Sequence, residues 1–295
     1  MLVRDAPQAT WGIEVFMLRR NLSSMFVAGA FVFPGGAVDD SDRAISPPEL
    51  VDGIDDATAS RLLDREHGGL GFWVAAIRES FEEAGVLLAK DAATRLAAAP
   101  DVVDRLLPLR ASVASGAVQL SEVLQSNGLM LDAGQLRVFG HWITPSPAPR
   151  RYDTWFFLAP APHGHAYRHD DEETIASEWI EPADALERAR REELELIYPT
   201  YRSLEGLSRF RTTSDLFEAV DDAWREPATA MRMVERTGAA QVRLPDDDHG
   251  VDDRVADAVA HSTTSARRGA GADSTGRHRK RRLVRRRPSK PLDAG

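Results

Sequence analysis

The chain has 295 residues, 43% of them apolar, and a net charge of −9, which is ordinary for a globular protein with ample chain for a core. It contains no Cys, which excludes disulfides, zinc–thiolate sites and a cysteine nucleophile, and no apolar run reaches the ~18 residues of a membrane span. Nine Lys or Arg at 277–290 against one Asp at 291–295 leave −17 on residues 1–276, so that part is a poor general nucleic-acid binder. Met1 to Asp5 lacks the basic-then-apolar export pattern, and the cytoplasm is the expected location.

Trp11 to Arg20 reads as a strand ending in two cations, Arg19 and Arg20, which are either surface charges or phosphate contacts. Asn21 to Ala30 is a connector to a second strand at Phe31–Phe33. Pro34 sets a turn there, and Gly35 and Gly36 allow positive φ and the close backbone approach that a phosphate-bearing ligand needs. Residues 43–70 read as a polar excursion with one short helix in the run Asp56 to Glu66, where Ala59, Leu62 and Leu63 have helical spacing. Such a loop costs little free energy.

The acidic helix that follows is the centre of the reading. At about 100° per residue, Glu79, Glu82 and Glu83 fall within roughly a third of a turn. Val74, Ile77, Phe81, Ala84 and Leu88 take the opposite side. Three clustered carboxylates repel one another and call for a cation; oxygen-only ligands favour Mg²⁺, with Mn²⁺ as an alternative. Arg78, one turn before Glu82, can pair with it. The bland reading is an amphipathic helix whose acids face water.

Gly85 suits a helix C-terminus, and Val86 to Ala99 reads as helical again. Asp101 to Leu124, within a helical segment spanning 90–130, reads as one or two packing helices. Strands are expected over Gln135–Thr144 and Tyr152–Ala159. Between them Pro145, Pro147 and Pro149 stiffen a loop carrying Arg150 and Arg151, which either meet substrate phosphates or keep the surface soluble. His163, His165 and His169 with Asp170, Asp171, Glu172 and Glu173 make either a second metal site or a polar loop. Glu178–Ile180 reads as a short strand, with Glu178 a candidate extra metal ligand or proton acceptor. Helices are expected from Pro182 to about Glu193, from Tyr198 to about Phe210, and from Ser214 to Trp224. Residues 1–245 form the folded domain; 246–295 have no period able to bury a core and are expected to be disordered. The basic run there is a solvated tail or a patch attracting RNA or anionic lipid.

Gly36 with Arg78, Glu79, Glu82, Glu83, Gly85 and Val86 resembles the signature of the Nudix hydrolases, a Gly, five residues, a Glu, seven residues, then Arg-Glu-apolar-x-Glu-Glu-x-Gly-apolar. Asp42 stands where the first Glu is expected, Ser80 where an apolar residue is, and 35 residues separate Asp42 from Arg78 instead of seven. A long insertion in this box marks a branch that includes coenzyme A diphosphatases. Members of that branch are similar also at Trp142–Pro145 and Arg150–Phe157. The resemblance covers roughly residues 12–210. An arginine-rich segment preceding the glycines in that branch is matched only by Arg20 and Gly29, with Met25 at a second expected Arg.

The resemblance implies an α/β/α sandwich with a mixed sheet and extra helices. It implies that Glu79, Glu82 and Glu83 bind Mg²⁺ or Mn²⁺ and that Arg78 orients them; the candidates for substrate contact, read from the residues, are Gly35, Gly36, Arg20 and Arg151. The expected activity is hydrolysis of the diphosphate linkage of a nucleoside diphosphate derivative, best coenzyme A or acyl-CoA. The alternatives are an ADP-ribose, NADH or other nucleotide pyrophosphatase, and a binding module that kept the fold and lost the chemistry. A third has the basic tail bring the domain to a capped RNA end.

Overall fold

The computed structural model describes residues 1–7, 12–22, 28–45, 48–144, 151–225, 231–236 and 239–243. Met25, Arg150, the prolines of the 145–150 loop and the whole 246–295 tail therefore lie outside the described residues. Among those residues, no helix is long and apolar enough to cross a membrane.

The first strands are β1 (Leu2–Asp5), β2 (Ile13–Arg20) and β3 (Phe31–Val32). α1 (Asp40–Arg43), β4 (Val51–Asp52) and α2 (Asp56–Leu62) lie between the glycine turn and α3 (Leu70–Ala84). After α3 come β5 (Ala89–Asp91), α4 (Pro100–Leu106), α5 (Arg110–Ala114), α6 (Leu120–Ser126) and β6 (Leu129–Asp132). The remainder is β7 (Arg137–Ile143), β8 (Asp153–Pro160), β9 (Thr174–Ile180), α7 (Pro182–Arg190), α8 (Tyr198–Leu207), α9 (Thr213–Arg225), β10 (Met231–Arg236) and β11 (Ala239–Arg243).

β2 organises the main sheet. It pairs antiparallel with β1 over its first residues, with β3 at Leu18 and Arg19, and with β9 along Val15–Arg20. β1 runs parallel to β8, β8 antiparallel to β7, and β7 parallel to β10, so the sheet is mixed. β2 is apolar on both faces because both are covered. Phe16 and Leu18 enter one core with Trp73, Ile77 and Phe81 of α3. Val15 and Met17 enter the other with Leu186 of α7, Leu204 of α8 and Leu216 of α9. Helices thus lie against both faces, as expected for the sandwich, and each fully buried large side chain contributes about 1.5–3 kcal/mol.

The long insertion is not a bare excursion. β4 pairs with β6 in a separate three-stranded sheet completed by β5. α2 also holds the start of α3, since Asp56 accepts from the Leu70 N–H at 2.9 Å and the Gly68 N–H at 3.0 Å. Two expectations need correction. Val86 to Ala99 is not helical: Gly85 adopts φ +69°, its N–H bonds to Phe81 O at 3.0 Å, and the Val86 N–H bonds to Ser80 O at 3.1 Å. That left-handed cap ends α3, and the apolar run Val86–Ala89 is consumed by the core and by pairing to β6. Leu88 therefore lies beyond the helix, not on its apolar face. Residues 101–124 form three short helices, broken at Pro108 and Gly116. The strands β1, β4, β5, β6, β10 and β11 were not anticipated.

Candidate active site

The last two turns of α3 carry the acidic cluster. Arg78 lies beneath it, almost fully buried, and its guanidinium is fully engaged. Nε and Nη2 donate to the two carboxylate oxygens of Asp42, each at 2.9 Å. Nη1 donates to Glu79 Oε1 and Glu82 Oε2, both at 3.0 Å, and Nη2 also to Ala37 O at 2.8 Å. Asp42 is 2% exposed and accepts in addition from the Asp39 N–H at 2.8 Å. The shorter acid thus fills the place of the expected Glu, because α1 carries its backbone in close. Ser80, the other departure, turns its hydroxyl onto Ala76 O at 2.8 Å and leaves no donor unsatisfied.

The glycine turn closes over the same acids. The Gly35 N–H donates to Glu83 Oε2 at 2.8 Å. A Cβ on Gly36 would stand 2.3 Å from Glu79 Oε1, so glycine lets the backbone pass without pushing this carboxylate aside. Chain segments more than forty positions apart therefore meet at one edge.

Beyond this edge opens a cleft of about 230 Å³. Glu79, Glu82 and Glu83 form one wall, Asp170, Glu172 and Glu173 from the segment before β9 another, and Leu107, Arg110, Ala111 and Ala114 a third. Burial raises all three helix acids, since a desolvated carboxylate resists ionising. Glu79 is pushed up to about 7 by burial, with Arg78 opposing and Glu82 adding. Glu83 is pushed up to about 8 by burial, against the Gly35 bond and with the charges of Glu79, Glu173 and Asp170 adding. Glu82 moves the same way, burial outweighing Arg78.

The trio does not surround one point. Among the described residues, no three His, Asp or Glu side chains are arranged to hold an ion as they stand. Glu79 and Glu82 turn to Arg78, and Glu83 to the Gly35 N–H. The donor set nonetheless fits a hard divalent cation. Glu82 Oε1 is buried without a hydrogen-bond partner, an arrangement costly unless a positive centre completes it. The available ligands are all carboxylate oxygens.

Other candidates separate. Arg20 ends β2 and Arg151 bonds through Nε to Thr144 O at 2.8 Å; neither lines the cleft. Glu178 is held by Arg188 through two contacts of 3.2 Å and also lies outside the lining. Of the histidines, His169 Nε2 meets its sequence neighbour Asp171 at 3.0 Å, His165 is packed near Tyr167, and neither lines the cleft. Sequence reasoning set Asp170, Glu172 and Glu173 with those histidines, whereas they face the helix acids. It passed over Arg110, for which a single arginine between short amphipathic helices offers no local signal.

Fold and site together define a Nudix hydrolase, and the chain belongs to that family. The crystal structure of a Nudix hydrolase from Alicyclobacillus acidocaldarius superposes with a TM-score of 0.58 at 30% identity, over 74% of this chain and 92% of that one. A family model for the NUDT19 Nudix domain matches residues 61–207, a span that includes Arg78 and the helix acids but not Gly35, Gly36 or Asp42. The acyl-coenzyme A diphosphatase NUDT19 of Gallus gallus is 29% identical over 258 residues, 74% of this chain and 67% of that protein. Its counterpart in Homo sapiens is 27% identical over 243 residues, 71% of this chain and 64% of that protein. The chain thus spans about two thirds of the length of these relatives.

Proposed function

We propose that this protein hydrolyses the diphosphate linkage of coenzyme A or an acyl-CoA, with Mg²⁺ or Mn²⁺ held by Glu79, Glu82 and Glu83. The observation that carries the chemistry is the acidic cleft in which Glu82 keeps a buried oxygen without a donor. The substrate rests on the relatives bearing the name acyl-coenzyme A diphosphatase.

A diphosphate is shielded from nucleophiles by its own negative oxygens. A divalent cation, when bound, offsets that charge and makes attack by water feasible at neutral pH. The protein's own groups do the rest. Arg78, anchored on Asp42, sets the positions of Glu79 and Glu82, and the Gly35 N–H does so for Glu83. A carboxylate of the cleft accepts the proton of the attacking water. The water oxygen bonds to phosphorus, the bridging P–O bond breaks, and its electron pair leaves with the other phosphate. Two phosphomonoesters result, which for coenzyme A are 3′,5′-adenosine bisphosphate and phosphopantetheine. Arg20 and Arg151, outside the cleft, are assigned to parts of the substrate away from the diphosphate.

The test is purified full-length protein with Mg²⁺ against coenzyme A, acyl-CoA, ADP-ribose, NADH and dinucleoside polyphosphates, with products read by mass spectrometry. Adenosine bisphosphate from the CoA thioesters is expected. Turnover of ADP-ribose or NADH alone would transfer the function to a nucleotide pyrophosphatase, and ligand binding without any cleavage would make the protein a binding module.

A further inference from the structure

Six carboxylates line the cleft, and Arg110 is the only cation among the residues lining it. It opens α5, outside the signature, in the helical segment between β5 and β6. Its side chain is half-buried and held by one edge: Nε and Nη2 both donate to Glu82 O, at 2.9 and 2.6 Å. That carbonyl belongs to the last turn of α3, where the helix dipole favours a cation. Among the described residues, Arg110 makes no ion pair, and its hydrogen bonds come from Nε and Nη2, not from Nη1. Nη1 lies over Gly85, where a Cβ would come within 3.5 Å of it. Ala111 and Ala114 line the cleft beside it, together with Leu107 and Pro108, and the Leu107 side chain meets the same face of Gly85.

Arg110 feels the charges of Asp170, Asp171 and Glu83 without a direct ion pair to any of them, and its orientation is set by hydrogen bonds to a carbonyl. Here the Glu82 carbonyl fixes the plane of the fork. Its remaining N–H groups are left for an acceptor that arrives with the substrate. Planar, bidentate donation of this kind suits a phosphate oxygen pair better than a lysine ammonium does. An anionic diphosphate entering so acidic a cleft needs such a contact besides any bound cation.

We infer that Arg110 is a substrate-binding residue, its guanidinium held by the Glu82 carbonyl so that its outer edge receives an oxygen of the diphosphate. The inference rests on the diphosphatase reading and adds a residue outside the signature, on α5, that grips the reacting group.

The experiment titrates inorganic pyrophosphate into the full chain loaded with Mn²⁺, comparing wild type with Arg110→Gln and Arg110→Lys by calorimetry. Mn²⁺ affinity, melting temperature, and kcat and KM on acyl-CoA are measured alongside. Arg110→Gln, which can still donate to the Glu82 carbonyl, is expected to weaken pyrophosphate binding by about 10- to 100-fold with Mn²⁺ affinity and melting temperature retained. Arg110→Lys, which keeps the charge without the fork, falls between. Equal losses of Mn²⁺ affinity, pyrophosphate affinity and melting temperature in both variants would make Arg110 a helix cap and overturn the inference. So would unchanged pyrophosphate affinity in both. Wild type that binds pyrophosphate through Arg110 but cleaves no CoA thioester would sink the proposed function and leave the inference standing.

Discussion

Arg78 and Asp42, 36 positions apart in the chain, meet through two parallel hydrogen bonds of 2.9 Å in a nearly dry setting. The long insertion is spliced between them, yet the contact closes, because the loop adds little entropy and α2 returns the chain to the start of α3. Removing one partner strands the other charge. Asp42→Ala is expected to cost about 3–5 kcal/mol in urea denaturation and to lower turnover through loosened Glu79 and Glu82. A loss below about 1 kcal/mol would mean that Arg78 finds a substitute anion.

Gly36→Ala tests the close approach to Glu79. The added methyl meets the movable end of a side chain, not backbone, so the melting temperature should change little. The displaced carboxylate should lower kcat by about 10- to 100-fold. An alanine variant with wild-type kcat would show that Glu79 reaches its working position from elsewhere.

Glu82→Gln and Glu83→Gln separate stability from function. Each should lower turnover by about 100-fold or more and weaken Mn²⁺ binding. Glu83→Gln keeps an oxygen for the Gly35 N–H but removes a buried charge. At pH 8.5 without divalent cations it should therefore melt higher than wild type. Lower melting there would show that the carboxylate is stabilised by more than the Gly35 bond.

The pH dependence of the cation-free protein follows from the same burial. Glu79 and Glu83 titrate near 7 and 8 when folded, against about 4.5 in an unfolded chain. Between those limits the folded state holds more protons, so stability is greatest at the acid end and falls as pH rises from about 5 to 8. The slope is at most about 1.4 kcal/mol per pH unit for each group. Mn²⁺ needs the ionised carboxylates, so its stabilising effect should grow over the same range. Differential scanning calorimetry at pH 5.5, 7 and 8.5, with and without Mn²⁺, checks both slopes, and a cation shift that is flat with pH would remove these acids as ligands.

Periodicity made the acidic helix legible, with Gly85 as its end and Glu79, Glu82 and Glu83 on one side. The strand through Val15 and Met17, the β8 strand and the three helices after Pro182 could be read in the same way. Spacing alone misled at Val86–Ala99, where a short apolar run fits helix and buried strand equally well and the left-handed cap at Gly85 decided for the strand. It also grouped four acids with the histidines, whereas Asp171 meets His169 and Asp170, Glu172 and Glu173 line the cleft with the helix acids.

What the sequence determined by itself is the chemical inventory of one edge: three acids at helical spacing, an arginine to anchor them, and paired glycines small enough to pass. Local spacing dictates these because they sit on one helix or one turn. Only the tertiary structure decided what faces that edge. Arg110 and the acids before β9 reach it through packing between segments far apart in the chain, and no local period carries that distance.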